Sequence, residues 1–197
     1  MIERSSDEVV AKRAQEGDMP AFEELYGRYR NAILNFIYRM IGNRQTAEEV
    51  AQEVFIKVYV NLRVFDTAKS FATWIYTIAR NLAKNSLRDK KYFRNMSLEE
   101  NISGTDEIMK LKDVIADTAP GPETIAEDAD LAEEAQRVLN LLPEEYREVI
   151  ALCSIQGLSY KEAAAILECS AATISVRLNE AKELFMKKLG MNPYKRK

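Results

Sequence analysis

The chain has 197 residues, enough for one large or two small domains, and nearly half of them are apolar while 30% are charged, a soluble globular composition. The formal net charge of −3 argues against a protein that simply coats nucleic acid. The complete absence of histidine removes the commonest general base and the commonest metal ligand together. No Gly-rich phosphate loop and no nucleophile elbow is present, so nothing asks for an enzyme, a cofactor or a metal. Cys153 and Cys169 form no metal-spaced pair and read as ordinary thiols. The N-terminus carries no apolar signal core and no stretch is long enough to span a bilayer, so a cytoplasmic protein without membrane insertion is expected.

Gly and Pro are scarce and long amphipathic runs dominate, which makes the fold class all-α. Ser5 and Glu8 have capping-box spacing for a first helix that stops at Gly17. Asp18 caps the next, which tolerates Pro20 in its first turn, carries Phe22, Leu25, Tyr29, Ile33, Phe36, Ile37 and Met40 at helical steps, and ends at Gly42. Thr46 and Glu49 suggest a second capping box, opening a helix with Val50, Val54, Val58 and Leu62 on one side. After a loop from Phe65 to Lys69, Ser70 caps a helix running to Arg94. Its apolar stripe is Phe71, Trp74, Ile75, Ile78 and Leu82; Thr73, Thr77, Arg80, Lys84, Arg88 and Lys91 lie opposite. Between Lys69 and Arg94 there are seven basic residues and one acid, which suits either a nucleic-acid backbone or a plain solvated face.

From Asn95 to Asp128 the periodicity fades, with a short helix suggested over Thr105–Ile115 and a breaker run Ala119-Pro120-Gly121-Pro122. Charge segregates here: Glu99 to Glu134 holds twelve acids against two lysines, a net −10. The segment reads as an acidic linker joining two small helical domains, residues 1–94 and 129–197. Helical pattern resumes at Asp130, Pro143 opens a further helix, and Gly157 closes it. Ser159 and Glu162 form a third capping box for a short helix over Tyr160–Leu167, and Ser170 caps a longer one ending near Leu189, before a basic tail over Asn192–Lys197. The pair has helix-turn-helix proportions, with Ala163, Ala164 and Ile166 or Leu167 set to pack on Ile174 and Leu178. Ser175, Val176, Asn179 and Glu180 are then candidates for base contact, and Thr173, Arg177 and Lys182 for phosphates.

These motifs resemble, in order and spacing, bacterial sigma factors of the extracytoplasmic-function group of the sigma-70 family. GDMPAFEELYGRYR, AEEVAQEVFIKVYVNLRVF and SFATWIYTIARNLAKNSLR resemble the family's second region; the run from Leu141 to Phe185 resembles its fourth. The resemblance implies a specificity subunit, not itself an enzyme, that binds core RNA polymerase and promoter DNA and is commonly held by an anti-sigma factor. It implies that the helix Thr46 to Leu62 docks on polymerase through Glu49, Gln52, Glu53 and Ile56. It implies that the loop Phe65 to Ser70 captures a flipped base of the minus-ten element through Phe65, Lys69 and Ser70. Arg80, Asn81, Lys84 and Arg88 would hold the adjoining backbone, and the helix-turn-helix would read the minus-thirty-five element through Thr173, Ser175, Val176, Arg177, Asn179, Glu180 and Lys182. The acidic linker would thread the polymerase cleft. Trp74 sits on the apolar stripe and reads as core, with base stacking as the alternative. Glu180 stands where many relatives have a basic residue, and Glu168 where the turn often has glycine. A free-standing duplex-binding regulator and a helical adaptor are the competing classes.

Overall fold

The computed structural model describes residues 5–93 and 129–190; the linker, its suggested short helix and the C-terminal tail lie outside these, as does the side chain of Lys91. Every regular element among the described residues is helical. They are α1 (Asp7–Gln15), α2 (Met19–Ile41), α3 (Arg44–Asn61) with a 3-10 turn (Leu62–Val64), α4 (Phe71–Phe93), α5 (Ala129–Asn140), α6 (Glu144–Val149) running into a π-helical turn (Ile150–Ile155), α7 (Tyr160–Leu167) and α8 (Ala171–Lys188).

The helix starts follow local capping chemistry, with two departures from the sequence expectation. Asp18, Ser70, Ser159 and Ser170 each accept the backbone amide three residues on, as expected. At α1 the cap is Ser6, whose hydroxyl takes the Val9 amide at 3.4 Å, and not Ser5. Glu8 is thereby released from any capping box and accepts instead from the Phe71 amide, 3.2 Å away at the start of α4. At α3 the cap is Asn43, which takes both the amide (2.9 Å) and the hydroxyl (3.0 Å) of Thr46. The helix therefore begins three residues before the expected Thr46–Glu49 box, because Asn caps as well as Thr and follows directly on the left-handed Gly42.

The stripes read from the sequence meet in the core. Phe36, Ile37 and Met40 of α2, Val54 of α3, and Phe71 and Ile75 of α4 are fully buried. Edge-on ring pairs Phe22–Tyr59, Tyr26–Phe55 and Tyr29–Phe71 knit the first half at 5.1, 4.7 and 5.4 Å. The second half adds Leu139, Val149, Leu152, Ile166, Ile174 and Leu178, and one buried cluster runs through both halves. At about 1.5–3 kcal/mol per fully buried large apolar side chain, this shared core is what holds the helices together.

Candidate nucleic-acid interface

The loop before α4 is fixed from three directions. Asp66 accepts from the Ala68 amide at 3.0 Å, Ser70 caps α4, and Gln15 of α1 donates to the carbonyls of Leu62 (2.8 Å) and Phe65 (2.6 Å). This clamp turns the Phe65 ring inward: it is 7% exposed, stacks on Trp74 at 4.6 Å and meets Phe71 edge-on at 5.6 Å. Of the three loop residues assigned to a flipped base, Lys69 and Ser70 face solvent and the Phe65 ring is in the core. Trp74 packs against that same core, as its place on the stripe indicated. Val64, 80% exposed on the 3-10 turn beside this loop, had no signal in the helical periodicity because it follows the end of α3.

The basic face of α4 is divided. Asn81 and Arg88 are exposed, and Arg88 donates to Asn85 at 3.1 Å. Arg80 and Lys84 instead meet the second half: Arg80 Nε lies 2.7 Å from Glu148, and Lys84 Nζ lies 2.8 Å from Glu144 and 3.8 Å from Glu148. The Arg80 side chain is 15% exposed and Glu148 only 4%. A cleft of about 810 Å³ opens beside these pairs, lined among others by Asn81, Asn85, Arg88 and Arg147.

Arg147 is the residue the sequence reading missed. Its guanidinium donates to the carbonyls of Leu139 (3.0 Å), Asn140 (3.0 Å) and Leu142 (3.1 Å) at the end of α5, and across to Met40 (2.6 Å) near the end of α2. Two helix C-termini, each with carbonyls lacking an intrahelical partner, thus share one cation. Burial pushes the Arg147 pKa down. Gln136 adds bonds to the Arg39 carbonyl (3.3 Å) and guanidinium (3.1 Å), and Tyr76 donates to Gln156 at 3.1 Å. Burial pushes the Tyr76 phenol up to about 12, so it is a neutral donor at pH 7. The charge pattern of PEEYREV against the basic face of α4 was the available clue.

In the helix-turn-helix, Ile174 and Leu178 are buried, as expected, and Ala181 is buried with them. Val176 is 57% exposed, Asn179, Glu180 and Lys182 are exposed, and Thr173, Ser175 and Arg177 are partly so. Three of these already have partners: the Thr173 hydroxyl shares a 2.8 Å hydrogen bond with that of Ser170, Glu180 accepts from Tyr146 at 3.0 Å, and Arg177 lies 3.3 Å from Glu145. On α3, Glu49 and Gln52 are exposed, Glu53 pairs with Lys57 at 3.4 Å, and Ile56 is half-buried against the core. Among the described residues no acidic, histidine or cysteine cluster could hold a metal, and no helix is long and apolar enough to cross a membrane.

An all-α chain with a basic helix in its first half and an outward helix-turn-helix in its second has the architecture of a promoter-recognition subunit. Residues 25–92 match Sigma-70 region 2 and residues 132–184 match Sigma-70, region 4. The chain is 35% identical over 178 residues to the ECF RNA polymerase sigma factor SigW of Bacillus subtilis (strain 168), covering 90% of this chain and 94% of SigW. It shares the fold of CnrH, solved in complex with the cytosolic domain of CnrY, with a TM-score of 0.66 and 22% identity over 94% of this chain and 98% of that one. The sigma factor RpoE, solved with the anti-sigma factor NepR from Bartonella quintana, gives a TM-score of 0.63 and 20% identity over 87% of this chain and 98% of that one. The chain belongs to the sigma-70 family, in its ECF group of RNA polymerase sigma factors.

Proposed function

We propose that this ECF sigma factor brings core RNA polymerase to its promoters through three surfaces of the chain. The outer face of α3, at Glu49, Gln52, Glu53 and the exposed edge of Ile56, docks on polymerase. The α4 face, with Asn81, Arg88 and, once released, Arg80 and Lys84, holds the backbone beside the minus-ten element. Lys69 and Ser70 present the loop that receives an unpaired base; because the Phe65 ring is buried, this contact rests on backbone and polar groups or on a rearranged Phe65–Trp74 stack. In the second half, Val176 and Asn179 point outward on α8 and are placed to read the minus-thirty-five element in the major groove, flanked by Lys182 and Thr173 for phosphates. The observation that carries this reading is the pairing of an outward recognition helix with a basic α4 in the order of regions 2 and 4.

The protein acts as a dissociable cytoplasmic subunit with no catalytic group of its own. An anti-sigma factor is a fitting partner, since RpoE was solved with one. Run-off transcription from genomic fragments with core polymerase, with and without this chain, is the test. Stimulation at specific start sites is expected; specific duplex binding without any stimulation would favour a free-standing regulator and overturn the sigma reading. Asn179→Ala should alter preference at the upstream element alone, losing about 1–3 kcal/mol of discrimination at one base pair, and a uniform loss across promoter variants would count against base readout.

A further inference from the structure

The loop Phe65 to Ser70 contains neither glycine nor proline, so little in its own composition fixes its path. Its middle is a turn closed by the Lys69 amide on the Asp66 carbonyl at 2.9 Å. Its two ends are held by one helix. Gln15 of α1 donates from a single amide nitrogen to the carbonyls of Leu62 and Phe65, 2.8 and 2.6 Å away, where the loop begins. Glu8 of α1 accepts from the Phe71 amide, 3.2 Å away, where the loop ends. Positions 8 and 15 are two helical turns apart, hence on one face and about 10 Å from each other along the axis. Ala11 lies between them on that face and is fully buried. The helix is anchored in turn on α2, where Arg28 and Tyr29 donate to Asp7 and the Tyr29 ring meets Phe71 edge-on at 5.4 Å. Glu8 and Gln15 are half-buried and spend their polar atoms on the protein's own backbone, so neither is placed to touch a promoter.

We propose that α1 is a two-point clip, with Gln15 and Glu8 as positioning residues, that shapes the base-receiving loop before a base arrives and so governs how strictly that base is chosen. The inference rests on the reading of this loop as the receiver of an unpaired base. A loop fixed in advance loses little freedom on binding, and a base of the wrong outline cannot reshape it. A loop cut free at either end is ordered by the base itself and settles around other bases as well. The surfaces given to polymerase and to the minus-thirty-five element are on α3 and α8, so the clip should act on the minus-ten element alone.

The test is run-off transcription by core polymerase with the full chain, from a genomic fragment that the parent chain uses, substituted one base pair at a time upstream of the start site. Gln15→Met keeps the length of the side chain and removes both of its hydrogen bonds. At the most strictly read minus-ten position its preference should fall at least about fivefold, while preference at the upstream element and affinity for core polymerase stay within about twofold. Glu8→Met should relax the same position, and Glu8→Gln, whose amide oxygen still accepts, should restore what Glu8→Met loses. Val9→Ala, at an exposed position of the same helix, should leave every preference as it was. A loss spread evenly over all positions, or a weakened hold on core polymerase, would assign Gln15 to the fold alone and overturn the clip. Full preference retained in both Gln15→Met and Glu8→Met would overturn it too. Lys69→Ala separates the two readings. If it relaxes a minus-ten position that both methionine variants leave intact, the clip falls and the loop reading stands; if none of the three alters preference at any minus-ten position, the loop reading falls and takes the clip with it.

Discussion

Glu168 holds the turn of the helix-turn-helix in the left-handed region, at φ 54° and ψ 44°. The cap is needed because the Cys169 amide must turn back to the Ala164 carbonyl, 3.0 Å away, for α8 to leave at the right angle. A side chain with a Cβ is strained there, so Glu168→Gly should stabilise the chain by about 1 kcal/mol, net of the extra freedom that glycine gains when unfolded. Thermal melting would show this as a rise in midpoint; a fall would mean that the Glu168 side chain makes a contact worth more than the strain. At the opposite end of α7, Glu162 accepts from the hydroxyl and the amide of Ser159, and those bonds hold its carboxyl below the usual range. A carboxylate whose folded pKa is depressed adds stability above the ordinary value of 4.5, and that stability is lost as pH falls through it toward the folded value. Glu162→Gln should therefore be less stable than the parent in urea at neutral pH, and the two should converge in acid. A constant gap across the whole pH range would place the effect in packing and not in the charge.

At the scale of elements, helices declared themselves wherever an apolar stripe and a cap agreed. The boundaries of α7, with Ser159 before it and Glu168 after it, were legible to the residue. Where two caps compete, the sequence alone is ambiguous: Asn43 and Thr46 both suit the start of α3, and Asn43 prevails because Gly42 has just reversed the chain. The π-helical turn over Ile150–Ile155 left no signature, since its residues fit a 3.6 period as well as the wider one. The α4 stripe was read too narrowly for a similar reason. Tyr76, Ala79 and Ala83 are also buried, the helix packing on α7 as well as on α2 and α3. A pattern of one apolar face describes a helix with one neighbour, and α4 has neighbours on both sides. Phe65 shows the same limit, since no periodicity in a loop can say that Gln15 will pull its backbone inward.

At the scale of the molecule, the chain's two regions and their order were legible, and the seam between them was not. Its bonds join residues about a hundred positions apart, such as Arg147 and Met40, and no local rule links them. The seam also predicts how the chain unfolds. Removing Arg147 leaves the carbonyls of Met40, Asn140 and Leu142 at two helix ends to find water, two of them in partly buried surroundings, while that of Leu139 keeps the Leu142 amide. Arg147→Met keeps the aliphatic stem and should cost about 2–3 kcal/mol, within the range for a lost hydrogen-bonded charge. Arg177→Met, at a pair whose side chains are 32% and 52% exposed, should cost less than about 1 kcal/mol. Trp74 is the chain's single tryptophan and lies in the first half, so its fluorescence reports that half while far-ultraviolet dichroism reports all the helices. In the parent, one buried cluster through both halves should make the two signals coincide in a urea titration. In Arg147→Met the dichroism should begin to fall at lower urea than the fluorescence, because the second half then melts away from the first. Coincident curves in both proteins would mean that the apolar contacts alone keep the halves cooperative, and that Arg147 serves only to cap the ends of α2 and α5.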